Sequence, residues 1–452
     1  MVRVSSRRAI LAGTALALVA TTAQVQAGGF ALREQSAYYQ GIAFAGAAAG
    51  GGPSLSSMFW NPATMTQHKA WMQFEQVATI VHGTSSITPT AATSATGASL
   101  LGLGGSGNVS ETVIIPSGYT VYRPNDRWAL GVAFNAPFGL ATRPNFVWAG
   151  QFYGRDSEVF SVNMTPQVAV QLDNWISVGV GLQVQYFYVE LDQAFPSLAG
   201  PIGNLKLQGD GIGVGFTAGV TLTPSPWTTI GIGYRSGIEQ GIDGSMSRPA
   251  FTTLVGGVPT TFAATTAAIR ANIPLPQMVN VGVRQKVTEQ LTLMGTVEWT
   301  DWSRLSTVGI NVAVPAPLLA TVPTALPFQW DDGWFASFGA EYQWSPVWAF
   351  RAGIGFEWSP LNDRVRTVRL ADNDRIWVGL GATYNWNERI SFDVGYTHIF
   401  VQDAPINIVP GHPTFTAASG TFVGSGETSV DILALGFRYK FVPPPSAIIT
   451  KG

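Results

Sequence analysis

Cysteine is absent from the 452-residue chain, charged residues make up only 12%, and only four histidines occur. A soluble domain carries roughly 25% charge, so a soluble protein of this size would be short of surface charge. No stretch after the first 20 residues is apolar for long enough to cross a bilayer as a helix, which leaves strands as the means of crossing. The lack of thiols fits an oxidising compartment reached by secretion. A net charge of −2 argues against nucleic acid as a partner. His68, His82, His398 and His412 sit in no recognisable serine or metal motif, so neither an enzyme nor a metal or cofactor site is expected.

What is present is glycine, aromatic residues and alternation. Residues 1–27 run from Arg3, Arg7 and Arg8 through an apolar stretch, Ala9 to Ala20, to Val25-Gln26-Ala27. This is the pattern of a secretory signal peptide cut after Ala27. Arg7-Arg8 matches only part of a twin-arginine signal, and the ordinary secretory route is favoured. From Ala70 onward the chain divides into fourteen segments of β character up to Phe441. In the twelfth, near 373–386, Ile376, Val378, Leu380, Ala382, Tyr384 and Trp386 share one face, while Gly379, Gly381, Thr383 and Asn385 share the other. Short connections such as Asp173-Asn174 and Asn387-Glu388 alternate with long ones at 83–111, 139–155, 245–271, 306–329 and 403–427. Closed outer-membrane barrels connect their strands in this way. Tryptophans at 128, 148, 175, 227, 299, 302, 344, 348, 358 and 386 fall near strand ends, as in the aromatic girdles of such barrels.

Ahead of the strands, residues 28–69 are rich in Gly and Ala. Gly29-Phe30, Glu34-Gln35-Ser36, the run Gly41 to Gly46 and Asn61-Pro62-Ala63 resemble the hatch of the FadL long-chain fatty acid transporter family. Pro137-Phe138-Gly139-Leu140, Tyr234-Arg235-Ser236, Glu298-Trp299-Thr300-Asp301-Trp302-Ser303 and Asp372-Asn373-Asp374-Arg375 extend the resemblance over most of the mature chain. It implies an all-β membrane protein: a monomeric, 14-stranded antiparallel outer-membrane barrel over 70–441, plugged by the 28–69 hatch and followed by a tail, 442–452. The implied activity is passive transport of hydrophobic compounds. Its partners would be a hydrophobic small molecule, outer-membrane lipid and lipopolysaccharide, and the barrel-assembly machinery. The Pro443-Pro444-Pro445 tail departs from the aromatic end that this machinery reads.

The same resemblance assigns roles. Asn61, Pro62 and Ala63 are expected beside a break in the third strand, which Asn135-Ala136-Pro137 marks because proline withdraws a ladder hydrogen bond. That break would be the lateral exit. Phe30, Phe187, Tyr188, Gln193, Asp331 and Trp334 are expected in the ligand pocket, and Phe251, Leu254, Val258 and Phe262 of the fourth long loop in capture. The third long loop, 193–204, is short for the family. No Lys or Arg occurs from Trp175 to Asn204 or from Leu305 to Phe350, where fatty-acid members place basic residues. A buried carboxylate without a cation is disfavoured, so a neutral hydrophobe (aromatic hydrocarbon, terpene or alkane type) is expected ahead of a long-chain fatty acid. The alternative is that Arg143, Arg235 or Arg351 supplies the charge. More distant alternatives are a general porin, which would lack a plug, and a structural or adhesin barrel.

Overall fold

The computed structural model describes residues 28–199, 202–314 and 322–442. The signal segment 1–27 and all of the tail beyond Val442 lie outside the described residues. Fourteen antiparallel strands close on themselves. They are β1 (Met72–Thr93), β2 (Thr112–Tyr122), β3 (Trp128–Asn135, resuming at Gly139–Thr142), β4 (Ser157–Asp173), β5 (Ile176–Ala194), β6 (Asn204–Ser225) and β7 (Thr228–Arg235, resuming at Glu239–Arg248). The series continues with β8 (Thr265–Pro274, resuming at Met278–Lys286), β9 (Leu291–Thr300, resuming at Thr307–Val312), β10 (Gly333–Gln343) and β11 (Trp348–Trp358). It ends with β12 (Arg375–Asn385), β13 (Ile390–Val401, resuming at Ala404–Ile408) and β14 (Thr421–Lys440). Each strand pairs with its neighbours in sequence, and β14 returns to β1 from Gln73↔Lys440 to Thr93↔Thr421. Closure leaves no unpaired edge, which is what a sheet in lipid requires.

Alternation sets the two faces. On β12, Ile376, Val378 and Leu380 point out and are exposed, whereas Arg375 and Trp377 point in and are buried. Several strands are longer than their alternation suggested: β1 reaches Thr93 rather than 82, and β14 begins at Thr421 rather than 428. These extensions, with Thr84, Ser85, Ser86 and Thr88 on one side and Thr421, Ser425 and Glu427 on the other, rise into the loop end. There neither face meets lipid, so no apolar alternation marks them. The girdle also needs correction. Trp128, Trp175, Trp227, Trp344, Trp348, Trp358 and Trp386 are exposed, but Trp148 and Trp302 are fully buried. Trp148 packs edge-on against Phe422 among the loops and donates to the Gly154 carbonyl at 3.0 Å.

Residues 28–67 fill the lumen with a short helix, Ala37–Gln40, capped by Ser36, and two 3-10 turns, Leu55–Phe59 and Pro62–Gln67. Glycines on the inner wall let this backbone lie directly against the strands: a Cβ on Gly379 of β12 would stand 2.7 Å from the Gln40 carbonyl oxygen. Buried hydrogen bonds to charged wall residues tie the plug to the wall. Tyr38 donates to Glu341 of β10 at 2.6 Å, and Glu341 is held by Arg284 at 2.7 Å and Arg351 at 3.4 Å.

Candidate functional site

Above the plug, toward the long loops, lies a cavity of about 570 Å³, within the range of small-molecule sites (about 300–1,000 Å³). Its walls are the inward positions of β5 (Phe187, Val189, Leu191, Gln193), β7 (Ile242), β8 (Ile269, Ala271, Ile273) and β9 (Val308, Ile310). The sixth long loop, 359–374, contributes Leu361, Val365, Arg369 and Leu370, and Pro413 and Thr414 of the seventh lie above. The lining is aliphatic and aromatic because alternate residues of strands this long must face inward where no plug residue covers them.

Arg369 is the one charged residue lining this cavity among the described residues. Its Nη1 donates to the Ser157 hydroxyl at 2.9 Å and the Asp156 carbonyl at 3.2 Å, and its Nη2 donates to the Gln193 side-chain oxygen at 2.9 Å. These acceptors are all neutral and leave Nε and one Nη2 hydrogen uncommitted. No carboxylate lies within ion-pair distance of it among the described residues. Burial pulls its pKa down to about 10, with Asp192 and Asp156 opposing at longer range. The group is therefore a charged, partly desolvated donor near neutral pH.

The cavity floor is an aromatic partition. Phe30, from the first residues of the plug, lies 4.8 Å from Trp302, 5.7 Å from Trp330, 5.8 Å from Phe138 and 6.5 Å from Phe187, ring centre to ring centre. Below it a smaller void of about 50 Å³ reaches Pro137, Phe138, Gln183, Arg235 and Leu275. The partition sits against the interruption of β3 at Ala136-Pro137-Phe138. Four of its backbone groups are met by the plug or by Ser161. The Ala136 carbonyl accepts from Gln35 Nε2 (2.8 Å), and the Pro137 carbonyl accepts from Leu32 N (2.8 Å). Ser161 bonds both polar groups of Phe138 (2.8 and 2.7 Å), and Gly139 N donates to the Phe30 carbonyl (3.0 Å). Ala31 and Phe138 thus form an isolated antiparallel bridge. The wall at this point is completed by the plug segment rather than by a strand.

Among the residues singled out from the sequence, Phe30, Phe187 and Gln193 meet in the cavity. Tyr188 does not: it is on the opposite face of β5 from Phe187 and donates to Glu190 at 2.6 Å. Asp331 is exposed and accepts from Asn362 at 2.5 Å, and Trp334, half-exposed, borders the smaller void and not the cavity, which Trp330 lines instead. Asn61 is turned away from the break, its Nδ2 donating to Val220 of β6 (2.9 Å) and to Ala48 (2.8 Å), and its Oδ1 accepting from Ala63 N (3.0 Å). Pro62 and Ala63 press on Gly179 of β5. Gln35 occupies the place expected of Asn61 and also receives Asn135 Nδ2 at 3.1 Å. Pro137 stands at the break itself. In the fourth loop, a hairpin of Phe251–Val255 and Val258–Phe262 stacks Phe251 on Phe262 at 5.1 Å and leaves Leu254 and Val258 exposed at its tip.

None of the arginines weighed as substitutes lines the cavity. Arg143 pairs with Glu111 and Glu158 on the exposed side, Arg235 bonds the Phe59 carbonyl and Gln183 beneath the partition, and Arg351 is committed to Glu341 and Asp393. Arg369 escapes any reading that places cations on strands, because it descends from a loop. The run Arg364-Val365-Arg366-Thr367-Val368-Arg369-Leu370 was its signal: arginines interleaved with apolar residues in a segment too short to be a strand of its own.

Residues 17–441 match the family model described as outer membrane protein transport protein (OMPP1/FadL/TodX). The chain belongs to this family. A long-chain fatty acid transport protein of Escherichia coli O6:H1 is 25% identical over 74% of this chain and 78% of its own length. A putative outer membrane protein of Neisseria meningitidis serogroup B is 27% identical over 96% of this chain and 98% of its own. Among solved structures, a Pseudomonas aeruginosa FadL homologue superposes with a TM-score of 0.80 at 19% identity, covering 92% of this chain and all of that one. The Pseudomonas putida toluene transporter TodX gives 0.65 at 15%, covering 91% and 99%. These structures share the barrel fold. The protein is thus an outer-membrane β-barrel of a family that transports hydrophobic compounds.

Proposed function

We propose that this family member passes amphipathic carboxylates of the long-chain fatty acid type, with the hydrocarbon in the cavity and the carboxylate on Arg369. The observation that supports this is the half-buried guanidinium with uncommitted donors in a cavity that is otherwise uncharged and mostly apolar. A carboxylate there would replace missing solvation by charge-assisted hydrogen bonds. The name of the Escherichia coli relative points the same way. Capture would begin on the exposed apolar tip of the fourth-loop hairpin. Exit would follow displacement of Phe30 and its neighbours from the β3 break, letting the ligand leave sideways and avoid water on the far side of the membrane. A second reading, a neutral hydrophobe, is favoured by the rest of the lining, in which Arg369 is the single charge and β5 and β10 supply no cation.

Tryptophan-fluorescence titration separates the two, since Trp330 is in the lining and Trp302 beneath it. A long-chain fatty acid is expected to bind more tightly than its alcohol. Arg369→Gln should weaken the acid by roughly 10- to 150-fold, the equivalent of about 1.5–3 kcal/mol, and leave the alcohol unchanged. Equal or tighter binding of the alcohol or of a monoaromatic hydrocarbon, insensitive to Arg369→Gln, would establish the neutral reading.

A further inference from the structure

Beside the partition is a buried cluster in which acid outnumbers base. Glu298, Glu357 and Asp372 are 1%, 5% and 0% exposed. Two guanidiniums serve them: Arg33 pairs with Glu298 and lies 3.2 Å from Glu357, while Arg375 pairs with Asp372 and stands 4.0 Å from Glu357. The other donors are neutral, namely Asn280 on Glu298 (2.7 Å), Trp377 on Glu357 (3.0 Å) and Ser359 on Asp372 (2.7 Å). Arg366 comes close, but it bonds the Asp372 backbone carbonyl and pairs with Asp363. With Glu34, fully buried next to Arg33 and with neither carboxylate oxygen hydrogen-bonded, the described acids here outnumber the two described cations.

The Gly28 nitrogen points into this deficit. Gly28 N is 3.0 Å from Glu357 Oε1, and Gly29 N is 3.1 Å from Asp372 Oδ2. A Cβ on Gly28 would lie 2.7 Å from Glu357 Oε1. Gly29 has φ +68°, and a Cβ there would meet Trp330 at 2.8 Å and Trp302 at 2.9 Å, so the approach is built for a glycine pair. We infer that the bond from Ala27 to Gly28 is cut and that the α-ammonium freed on Gly28 is the third cation of the Glu298–Glu357–Asp372 cluster.

Processing then does more than remove a leader. Hydrolysis of the Ala27–Gly28 amide leaves a carboxylate on the departing peptide and an amine, protonated at neutral pH, on the retained chain. That charge fixes one end of the six-residue segment whose other end is Arg33. Between the two anchors lie Phe30, which forms the partition, and Ala31 and Leu32, which complete the β3 break. The amine is the latch of the exit.

The test uses the purified mature protein. Intact-mass measurement should place Gly28 first. An amine-reactive ester at neutral pH should modify this α-amine readily in the unfolded chain and slower by an order of magnitude or more in the folded one, since burial and ion pairing protect it. Refolded protein that retains Ala27 displaces the charge by one residue and should unfold at lower urea and leak small ions. Glu357→Gln in the mature chain should do the same, and the two changes together should cost less than their sum. A mature chain beginning elsewhere, an α-amine labelled equally fast folded and unfolded, or retention of Ala27 without effect on urea midpoint and leak would each overturn the inference.

Discussion

Deletion of residues 28–66 is expected to turn a barrel that is almost silent in a planar bilayer into an open, ion-conducting pore. The β1–β14 seam closes without the plug, the two strands pairing from Gln73↔Lys440 to Thr93↔Thr421. Behind the plug, the wall presents polar inward residues such as Thr79, Asn163, Thr217, Thr296 and Thr397, all buried only because the plug covers them. Water would fill a lumen so lined, as it does in larger porins. Single-channel recording of deleted and full-length protein checks this. A general porin would conduct equally with and without these residues, and an unchanged trace would mean that the plug is not what closes the lumen.

Asp393→Ala carries the largest expected loss of stability. Asp393 is buried on β13 between two guanidiniums, Arg438 at 2.7 Å and Arg351 at 3.3 Å. Arg351 in turn continues to Glu341 and, through it, to Tyr38 of the plug. Removing the shared carboxylate leaves two buried cations facing each other. Truncation of one partner of a buried pair costs about 3–5 kcal/mol, far more than the net worth of the pair itself. The urea midpoint in lipid vesicles should fall accordingly. Asp393→Asn, which keeps the shape and loses the charge, should fall almost as far. A midpoint within experimental scatter of the parent would show that water reaches this layer and that the plug does not seal it.

The barrel was legible because lipid imposes a rule on every second residue. Ile376, Val378 and Leu380 could not alternate with Arg375 and Trp377 for any other evident reason, and tight turns separated one strand from the next. Where lipid stops, the rule stops, and the upper parts of β1 and β14 went unread. The same rule, applied more strictly, would have corrected the pocket. Tyr188 and Gln193 are five apart on one unbroken strand, so they face opposite ways, and only Gln193 could reach the lumen. Trp302 and Trp148 resembled girdle residues in composition. Their burial follows from non-local packing against Phe30 and Phe422, which no local pattern carries. Arg369 and the exchange of Asn61 for Gln35 at the β3 break depend on how a loop and a plug fold back onto strands far away in sequence. Those contacts are set by tertiary structure alone.

The most direct test of the lateral route uses the absence of native cysteine. Ala31 and Phe138 face each other across an isolated antiparallel bridge whose flanking bonds run from Leu32 N to the Pro137 carbonyl and from Gly139 N to the Phe30 carbonyl. This is a non-hydrogen-bonded pair, with Cα atoms about 4.5 Å apart, a spacing that accepts a disulfide. In the doubly substituted chain, A31C with F138C, uptake of a labelled fatty acid into vesicles or cells would be followed before and after reduction. Oxidised protein should bind the ligand and fail to pass it, and reduction should restore passage. Passage at the reduced rate through the oxidised protein would contradict an exit at the β3 break.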